Sequence, residues 1–380
     1  MKFALIGPVH PYRGGIAHHT AHLYRALVAA GQQTSVISFK RQYPTWLYPG
    51  VSDKDPGQPA EPTPAVYLLD PVKPWTWSRT LSEIESDRPE LVIIQWWTTF
   101  WGMCFAYLTR QLRRSGIPVV YLIHNVIPHE KHFFDPWLAR QALSPARWFI
   151  TQSVREEQRL SKLIPDSAII NIPFPVYPAF QSTEGISIKT ARRQLGLQED
   201  QLILLFFGIV RPYKGLNTLL NAMNKLKEEN ILPSLIIAGE FWEKKQPYLV
   251  LIERMGLKKQ VLIEDRYIPD NEVGLFFSAA DILVAPYGAG ATQSAVASLG
   301  LGYGIPMIVS EQVSHGLGES PSNYLRVIPG EDSTALASAI REFWDNPDLR
   351  NLPRQPLDGN WSRLVQILIE FAGECASSSY

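Results

Sequence analysis

Short, uninterrupted apolar runs alternate with helix-patterned segments along almost the whole chain. In the N-terminal half the runs are Phe3–Ile6, Thr34–Phe39, Val66–Leu69, Leu91–Gln95, Val119–His124 and Trp148–Gln152. Between them lie segments such as IAHHTAHLYRALVAAG and VREEQRLSKLI, with apolar residues at helical spacing. The C-terminal half repeats the pattern with LILLFFG, SLIIAG, VLIEDRYI, DILVAPY and PMIVSE. A strand with one wet face alternates apolar and polar residues, whereas a continuous run needs both faces covered. Strands of that kind alternating with helices predict an α/β architecture of parallel sheets.

At 380 residues, and with ~150 residues to a domain, the chain has room for two. The boundary falls in NIPFPVYPAFQSTEGISIKTA, Asn171 to Ala191, which holds three prolines and no clear period. The expected division is an N-terminal domain over 1–178, a C-terminal domain over 190–355, and a closing helical segment over 356–380. The fold class is therefore two doubly wound, Rossmann-like parallel-sheet domains. Such sheets bind ligands at the carboxyl ends of their strands, so two facing domains place a site in a cleft. No repeat with a period of about 20 to 50 residues is visible.

Composition narrows the function. Lys plus Arg equals Asp plus Glu, 36 each, and a nucleic-acid binder would show a basic excess. A local basic pocket for a small anion remains open. Cys104 and Cys375 stand far apart in sequence, which argues against a disulfide framework and for a reducing compartment. The opening MKFALIGPVHP has too short an apolar core for a signal peptide and reads as the first buried strand of a cytoplasmic protein. In LVIIQWWTTFWGMCFAYL, Leu91 to Leu108, Gln95, Thr98, Thr99 and Gly102 interrupt the apolar run. That stretch reads as a strand followed by a helix start, not a membrane span.

Three strand-to-helix turns carry residues suited to an anionic ligand. In FFGIVRPYKG, Gly208 closes a strand, and Lys214 and Gly215 open a helix. Backbone N–H groups at a helix N-terminus, with a cation beside them, make an anion site, and the planar fork of Arg211 suits phosphate oxygens. Two solvated cations on a surface turn are the alternative. In GPVHPYRGGIAHHT, Gly14 and Gly15 let a ligand approach the backbone, or simply form a flexible turn. The dinucleotide glycine fingerprint is absent, which disfavours nicotinamide and flavin cofactors. His18 and His22 share a helix face, but no third metal ligand is evident, so packed or solvated rings are favoured. In VAPYGAGATQSAVASLG, Thr292, Gln293 and Ser294 offer hydroxyls, an amide and backbone donors near a helix start.

The order and spacing of these turns, with IIAGE, VLIEDRYIPDNEVGLFFSAADILVAPY and GYGIPMIVS, resemble the family 4 glycosyltransferases of the GT-B fold over nearly the whole chain. The resemblance implies a nucleotide-sugar donor bound by the C-terminal domain and an acceptor bound mainly by the N-terminal one. It implies a last helix, WSRLVQILIEFAGECA, that packs back on the N-terminal domain. Gly15 and Lys214 are implied to meet the donor diphosphate, Gly14 to join the donor-binding set, and His124 to lie near the donor sugar. Glu240, Arg266, Thr292, Gln293 and Ser294 join Arg211 in the implied donor-binding set. Two departures stand out. Ile209 occupies the family's arginine position, with Arg211 two residues on and on the same face of an extended chain. The family's glutamate pair would fall on Ala291 and Leu299, so ribose contacts must differ.

The resemblance further implies transfer with retention of anomeric configuration, without a cofactor or metal. The nucleotide-diphosphate sugar is a substrate, and the sequence shows no clustered His/Cys set that would hold a metal. Cations and helix N-termini would then neutralise the departing diphosphate. Acceptor contacts are expected from QWWTTFWG: Trp97 and Trp101 would stack on a sugar or isoprenoid chain, with Gln95, Thr98 and Thr99 bonding hydroxyls. The alternative is that these rings are core. The acceptor classes are sugar, glycan or lipid-linked, with no nucleic-acid partner, and KPWTWSRTL suggests peripheral contact with a membrane. Two other readings compete: an inactive scaffold of the same fold, supported by the missing glutamates, and a nucleotide-sugar epimerase.

Overall fold

The structure, a computed structural model, describes residues 1–44, 46–59, 62–128, 133–180, 186–291, 293–317, 324–350, 352–357 and 359–377. The chain divides into two compact units. One comprises Met1–Asp55, Glu61–Pro173 and Asn360–Tyr380, the other Pro56–Ala60 and Phe174–Gly359.

The first unit is built on seven parallel strands: β1 (Lys2–Ile6), β2 (Gln33–Phe39), β3 (Val66–Leu69), β4 (Leu91–Trp96), β5 (Val119–Ile123), β6 (Trp148–Thr151) and β7 (Ala168–Asn171). Their spatial order is β3-β2-β1-β4-β5-β6-β7. The second unit carries six: β8 (Ile203–Phe207), β9 (Ser234–Ala238), β10 (Val261–Glu264), β11 (Ile282–Ala285), β12 (Met307–Ser310) and β13 (Leu325–Ile328). Their order is β10-β9-β8-β11-β12-β13. Each sheet is doubly wound: the chain first works outward on one side of its first strand, then crosses to the other side. That reversal lies between β1 and β4 in one unit and between β8 and β11 in the other. At such a point neighbouring connections leave in opposite directions and open a crevice at the strand ends.

The continuous apolar runs are buried as their pattern requires; β4 and β9 are buried at every residue. Two strands escape the sequence pattern, β7 (AIIN) and β13 (LRVI). Both lie at sheet edges; AIIN runs directly into the segment read as a linker, and Arg326 interrupts LRVI. The run at Leu91 to Leu108 is β4, a 3₁₀ turn at Thr99–Trp101, and the start of a helix at Gly102–Arg114. No helix among the described residues is long and apolar enough to cross a membrane. The last helix, Trp361–Ser377, belongs to the first unit and packs on helix Gly15–Ala29.

The aromatic run after β4 divides between core and partial exposure. Trp96 has no exposed surface, and its indole N–H donates to the Val126 carbonyl at 3.3 Å. Trp101 corrects the expectation that it lines an acceptor site. Its exposure is 0%, it stacks on Phe105 at 5.7 Å between centroids, and it meets Phe39 at 4.3 Å. The reason is local: Thr98 accepts from Phe100 N and Thr99 Oγ1 donates to Asp135 Oδ1 at 2.5 Å, closing the 3₁₀ turn so that Trp101 faces inward. Gln95 and Thr99 are likewise buried and bonded within the protein, so they too are withdrawn as acceptor contacts. Trp97 is half-buried and donates to Tyr43 OH at 2.6 Å.

Truncating a large core ring leaves a cavity as well as lost apolar contact. Trp101→Ala is therefore expected to cost ~3–5 kcal/mol of stability, with Trp97→Ala costing distinctly less. Urea unfolding of both variants checks this; equal midpoints would contradict the assignment of Trp101 to the core.

Candidate functional site

The loops that flank the β8/β11 reversal are in direct backbone contact. After β8 the chain turns through Gly208 (φ 87°) into a 3₁₀ turn at Pro212–Lys214, then through Gly215 (φ 75°) into helix Leu216–Glu228. A Cβ on Gly215 would lie 2.2 Å from the Pro286 carbonyl oxygen at the end of β11. Beside that contact Gly288 N–H donates to the Tyr213 carbonyl at 2.7 Å. Only a residue without a side chain and with free access to positive φ satisfies both demands at Gly215. The β9 loop joins from the other side: Val210 N–H donates to the Glu240 carbonyl at 2.9 Å and Trp242 N–H to the Val210 carbonyl at 3.1 Å.

Lys214 folds back into this junction. Its Nζ lies 3.2 Å from the place a Cβ on Gly208 would take, and 5.6 Å from the centre of the Tyr287 ring. The residue is buried at 8% exposure. Burial, and then the neighbouring charge of Arg211, pull its pKa from 10.5 down to about 7. The Arg211 guanidinium stacks over Trp242 at 4.5 Å. Two cations near one another in a partly dry corner are a receptive place for a multiply charged anion, because the anion relieves both desolvation and mutual repulsion. Across the junction Ser294 caps helix Ala295–Gly302, its Oγ accepting from Ala297 N–H at 3.1 Å and lying 3.4 Å from Tyr287 OH. Ala291 and Leu299 are both buried.

Of the other residues expected in the donor set, Gln293 is half-buried next to Ser294, and Thr292 lies outside the described residues. Glu240 is buried at the end of β9 and presents its backbone carbonyl to Val210. Arg266 is not brought to Lys214 by any contact the structure shows. It is exposed after β10 and ion-paired with Glu264 at 3.3 Å and with Glu272.

The first unit places its own candidates at the ends of β1 and β5. Gly14 (φ 100°) is the N-cap of helix Gly15–Ala29, its carbonyl accepting from Ala17 and His18 N–H. His124 follows β5 directly, and its N–H donates to the Trp96 carbonyl at 2.8 Å. Its ring is buried, with Nε2 2.5 Å from Gln95 Oε1, and burial pushes its pKa down to about 3. A neutral imidazole offers hydrogen bonding and no charge. His22 packs against Trp361 at 5.6 Å. Among the described residues no group of three or more His, Cys, Asp or Glu is arranged to hold a metal.

Sequence reasoning passed over Trp242, Tyr287, His19 and Gln152, whose partners lie far away in the chain or in other loops. It also passed over the triplet Asp53-Lys54-Asp55, legible as an Asp-x-Asp. Its backbone is tied to the loop after β1, with Arg13 N–H donating to Asp53 O at 3.1 Å and Asp55 N–H to Pro11 O at 2.8 Å.

Comparison with known proteins gives the family. Residues 14–172 match the family described as "Glycosyl transferase 4-like domain" and residues 187–355 match "Glycosyl transferases group 1". The chain belongs to the family 4 glycosyltransferases of GT-B fold. A GDP-mannose:glycolipid 4-beta-D-mannosyltransferase of Xanthomonas campestris pv. campestris is 27% identical over 276 residues, covering 70% of each chain. In fold the chain resembles sucrose-phosphate synthase from Thermosynechococcus elongatus, with a TM-score of 0.67, 20% identity, and coverage of 99% of this chain and 97% of that one. It also resembles Anabaena HepE in complex with UDP, with a TM-score of 0.68, 16% identity, and coverage of 98% and 100%.

Within this glycosyltransferase the state of Lys214 has a measurable consequence. Above about pH 7 Lys214 gives up part of its proton, and a diphosphate bound beside it would restore it. Binding a nucleotide sugar is therefore expected to take up a fraction of a proton, and affinity to fall as pH rises above about 7. On unfolding the group regains its ordinary value of 10.5, so its contribution to stability rises with pH between about 7 and 10.5. Calorimetry in two buffers of different ionisation enthalpy reads the uptake, and Lys214→Met is expected to abolish it. A binding heat independent of buffer would contradict the assignment.

Proposed function

We propose that this glycosyltransferase moves a sugar from a nucleotide-diphosphate sugar to a sugar, glycan or lipid-linked acceptor, with the donor diphosphate held at the β8/β11 junction. The observation that supports this most strongly is the buried Lys214 beside Arg211, where burial and then the neighbouring guanidinium pull the lysine pKa down to about 7 and an anion bound between them would relieve both effects. Lys214 and Arg211 neutralise charge on the departing diphosphate, and the amides at the start of helix Ala295–Gly302 add to it. Ser294 and Gln293 provide hydrogen bonds in place of the glutamates that Ala291 and Leu299 replace. His124 supplies a neutral hydrogen-bonding ring near the donor sugar, and Gly14 and Gly15 admit the donor diphosphate close to backbone. Trp97 is the remaining aromatic candidate for the acceptor.

The stereochemical course in this reading is retention, with the leaving phosphate accepting the proton of the incoming hydroxyl. The chain then contributes orientation and charge without a dedicated base. From an α-linked donor, an α product supports this course, and a β product would require inversion and a base. The linkage named for the Xanthomonas relative is β, so the product's anomeric configuration is the first property to determine. An inactive binding subunit is a second reading, favoured by Ala291 and Leu299 standing where the family carries its glutamate pair. Nucleotide-sugar binding without turnover on any acceptor would select it.

The test begins with a thermal-shift panel of nucleotide sugars, since a ligand at ~100 times its dissociation constant adds ~2.7 kcal/mol. With the donor identified, Lys214→Ala is expected to reduce transition-state stabilisation by ~2–4 kcal/mol. Activity is expected to persist in EDTA. An unchanged rate in Lys214→Ala sinks the donor-site assignment, and loss with EDTA restored by magnesium would direct attention to Asp53 and Asp55.

A further inference from the structure

A file of four polar side chains crosses the interior of the first unit. His124, Gln95, His19 and Gln152 are all buried, none more than 1% exposed. The Gln95 amide stands between two rings, with Oε1 2.5 Å from His124 Nε2 and Nε2 3.2 Å from His19 Nδ1. The other nitrogen of His19, Nε2, is 2.8 Å from Gln152 Nε2. The two imidazoles pack edge to face at 4.7 Å, and Trp361 of the last helix lies against His19 at 4.9 Å. Gly7 makes the room: a Cβ there would sit 2.8 Å from Gln95 Cγ.

Donor and acceptor accounting gives the file a direction. A neutral imidazole has one N–H and one lone pair. With Gln95 Oε1 facing it, His124 carries its proton on Nε2. The Gln95 amide N–H then donates to His19 Nδ1, so His19 also carries its proton on Nε2. That N–H requires an oxygen from Gln152, so the Gln152 amide, which turns Nε2 toward His19, must rotate by half a turn. Rotating Gln95 instead would set N–H against nitrogen at the 2.5 Å contact with His124, a separation that suits N–H···O. Turning Gln95 would move both ring protons together, so the two tautomers are locked to one another across this one amide. Burial holds both rings far below the pH at which histidine normally gains charge. What His124 can offer is therefore decided by where its single proton sits.

The main chain around His124 is already held. Its own N–H is bonded to β4, and Val126 N–H donates to Glu156 Oε2 at 2.6 Å while the Val126 carbonyl accepts from Trp96. The proton position is the remaining degree of freedom. We propose that Gln95 is a positioning residue that, through His19 and Gln152, fixes the His124 proton on Nε2 and leaves a lone pair on Nδ1. Nδ1 is itself buried, and a sugar hydroxyl that reached it would act as donor. The inference rests on the reading of His124 as a group that meets the donor sugar.

The test uses the full-length protein with 15N-labelled histidine, whose long-range proton–nitrogen correlations report the tautomer of each ring. Both His19 and His124 are expected as the Nε2–H form. In Gln95→Glu the bridging group accepts from both sides, so His19 is expected to switch to Nδ1–H while His124 keeps Nε2–H. Gln95→Leu is expected to lower kcat roughly tenfold to a hundredfold with a smaller effect on donor KM, as when an outer partner that orients a functional histidine is removed. Gln95→Glu should recover most of that loss. A wild-type His124 protonated on Nδ1 overturns the proposal, and so does a wild-type kcat in Gln95→Leu when His124→Ala is inactive. If Gln95→Leu does not fold, the wild-type and Gln95→Glu spectra decide. A wild-type kcat in His124→Ala overturns instead the reading on which the proposal rests.

Discussion

The contact of Gly215 with the Pro286 carbonyl organises the strand ends of the second unit. Because nothing but hydrogen stands on Gly215 Cα, the loops after β8 and β11 meet backbone to backbone, and Gly288 bonds to Tyr213 beside them. That closeness puts Tyr287 over Lys214 and leaves the ammonium against the bare Cα of Gly208. The low pKa of Lys214 follows from the same packing, since a side chain pressed into a junction cannot keep its water. A cation in this state costs free energy. In the proposed donor complex a diphosphate would offset that cost, so the tight backbone packing would bear on ligand choice.

The first unit uses buried polarity differently. Its strands β4 and β6 are followed or interrupted by glutamines, and these are spent on histidines inside the protein. No charge is stored there. Hydrogen-bond direction is the property that such a network can hold, and in a dry interior it is held firmly because an unmatched donor or acceptor is expensive. The last helix contributes through Trp361, which closes over His19.

The sequence made the second unit's site partly legible. Glycine, arginine, lysine and glycine in a strand-to-helix turn are local features, and the fold brings Arg211, Lys214 and Ser294 to loops flanking one reversal. The burial of Lys214 was not legible, because it depends on Tyr287 and Pro286 from another loop. Trp101 was misjudged for a related reason: alternation along a strand does not extend through a 3₁₀ turn, and the Thr99–Asp135 bond rotates the chain. β7 was missed because its AIIN run abuts the segment read as the linker, and β13 because Arg326 interrupts its LRVI run. The histidine–glutamine file joins residues 76 and 133 positions apart, so no local pattern announces it. Its trace in the sequence was Gln95, a polar residue beside a continuous apolar run.

Amide hydrogen exchange with and without a nucleotide sugar tests the central claim most directly. The account predicts protection concentrated at residues 208–216 and 286–298, where Gly208, Lys214, Gly215, Ser294 and their amides would face the diphosphate. Saturable binding with protection confined to other segments, and none at either of these loops, would contradict it.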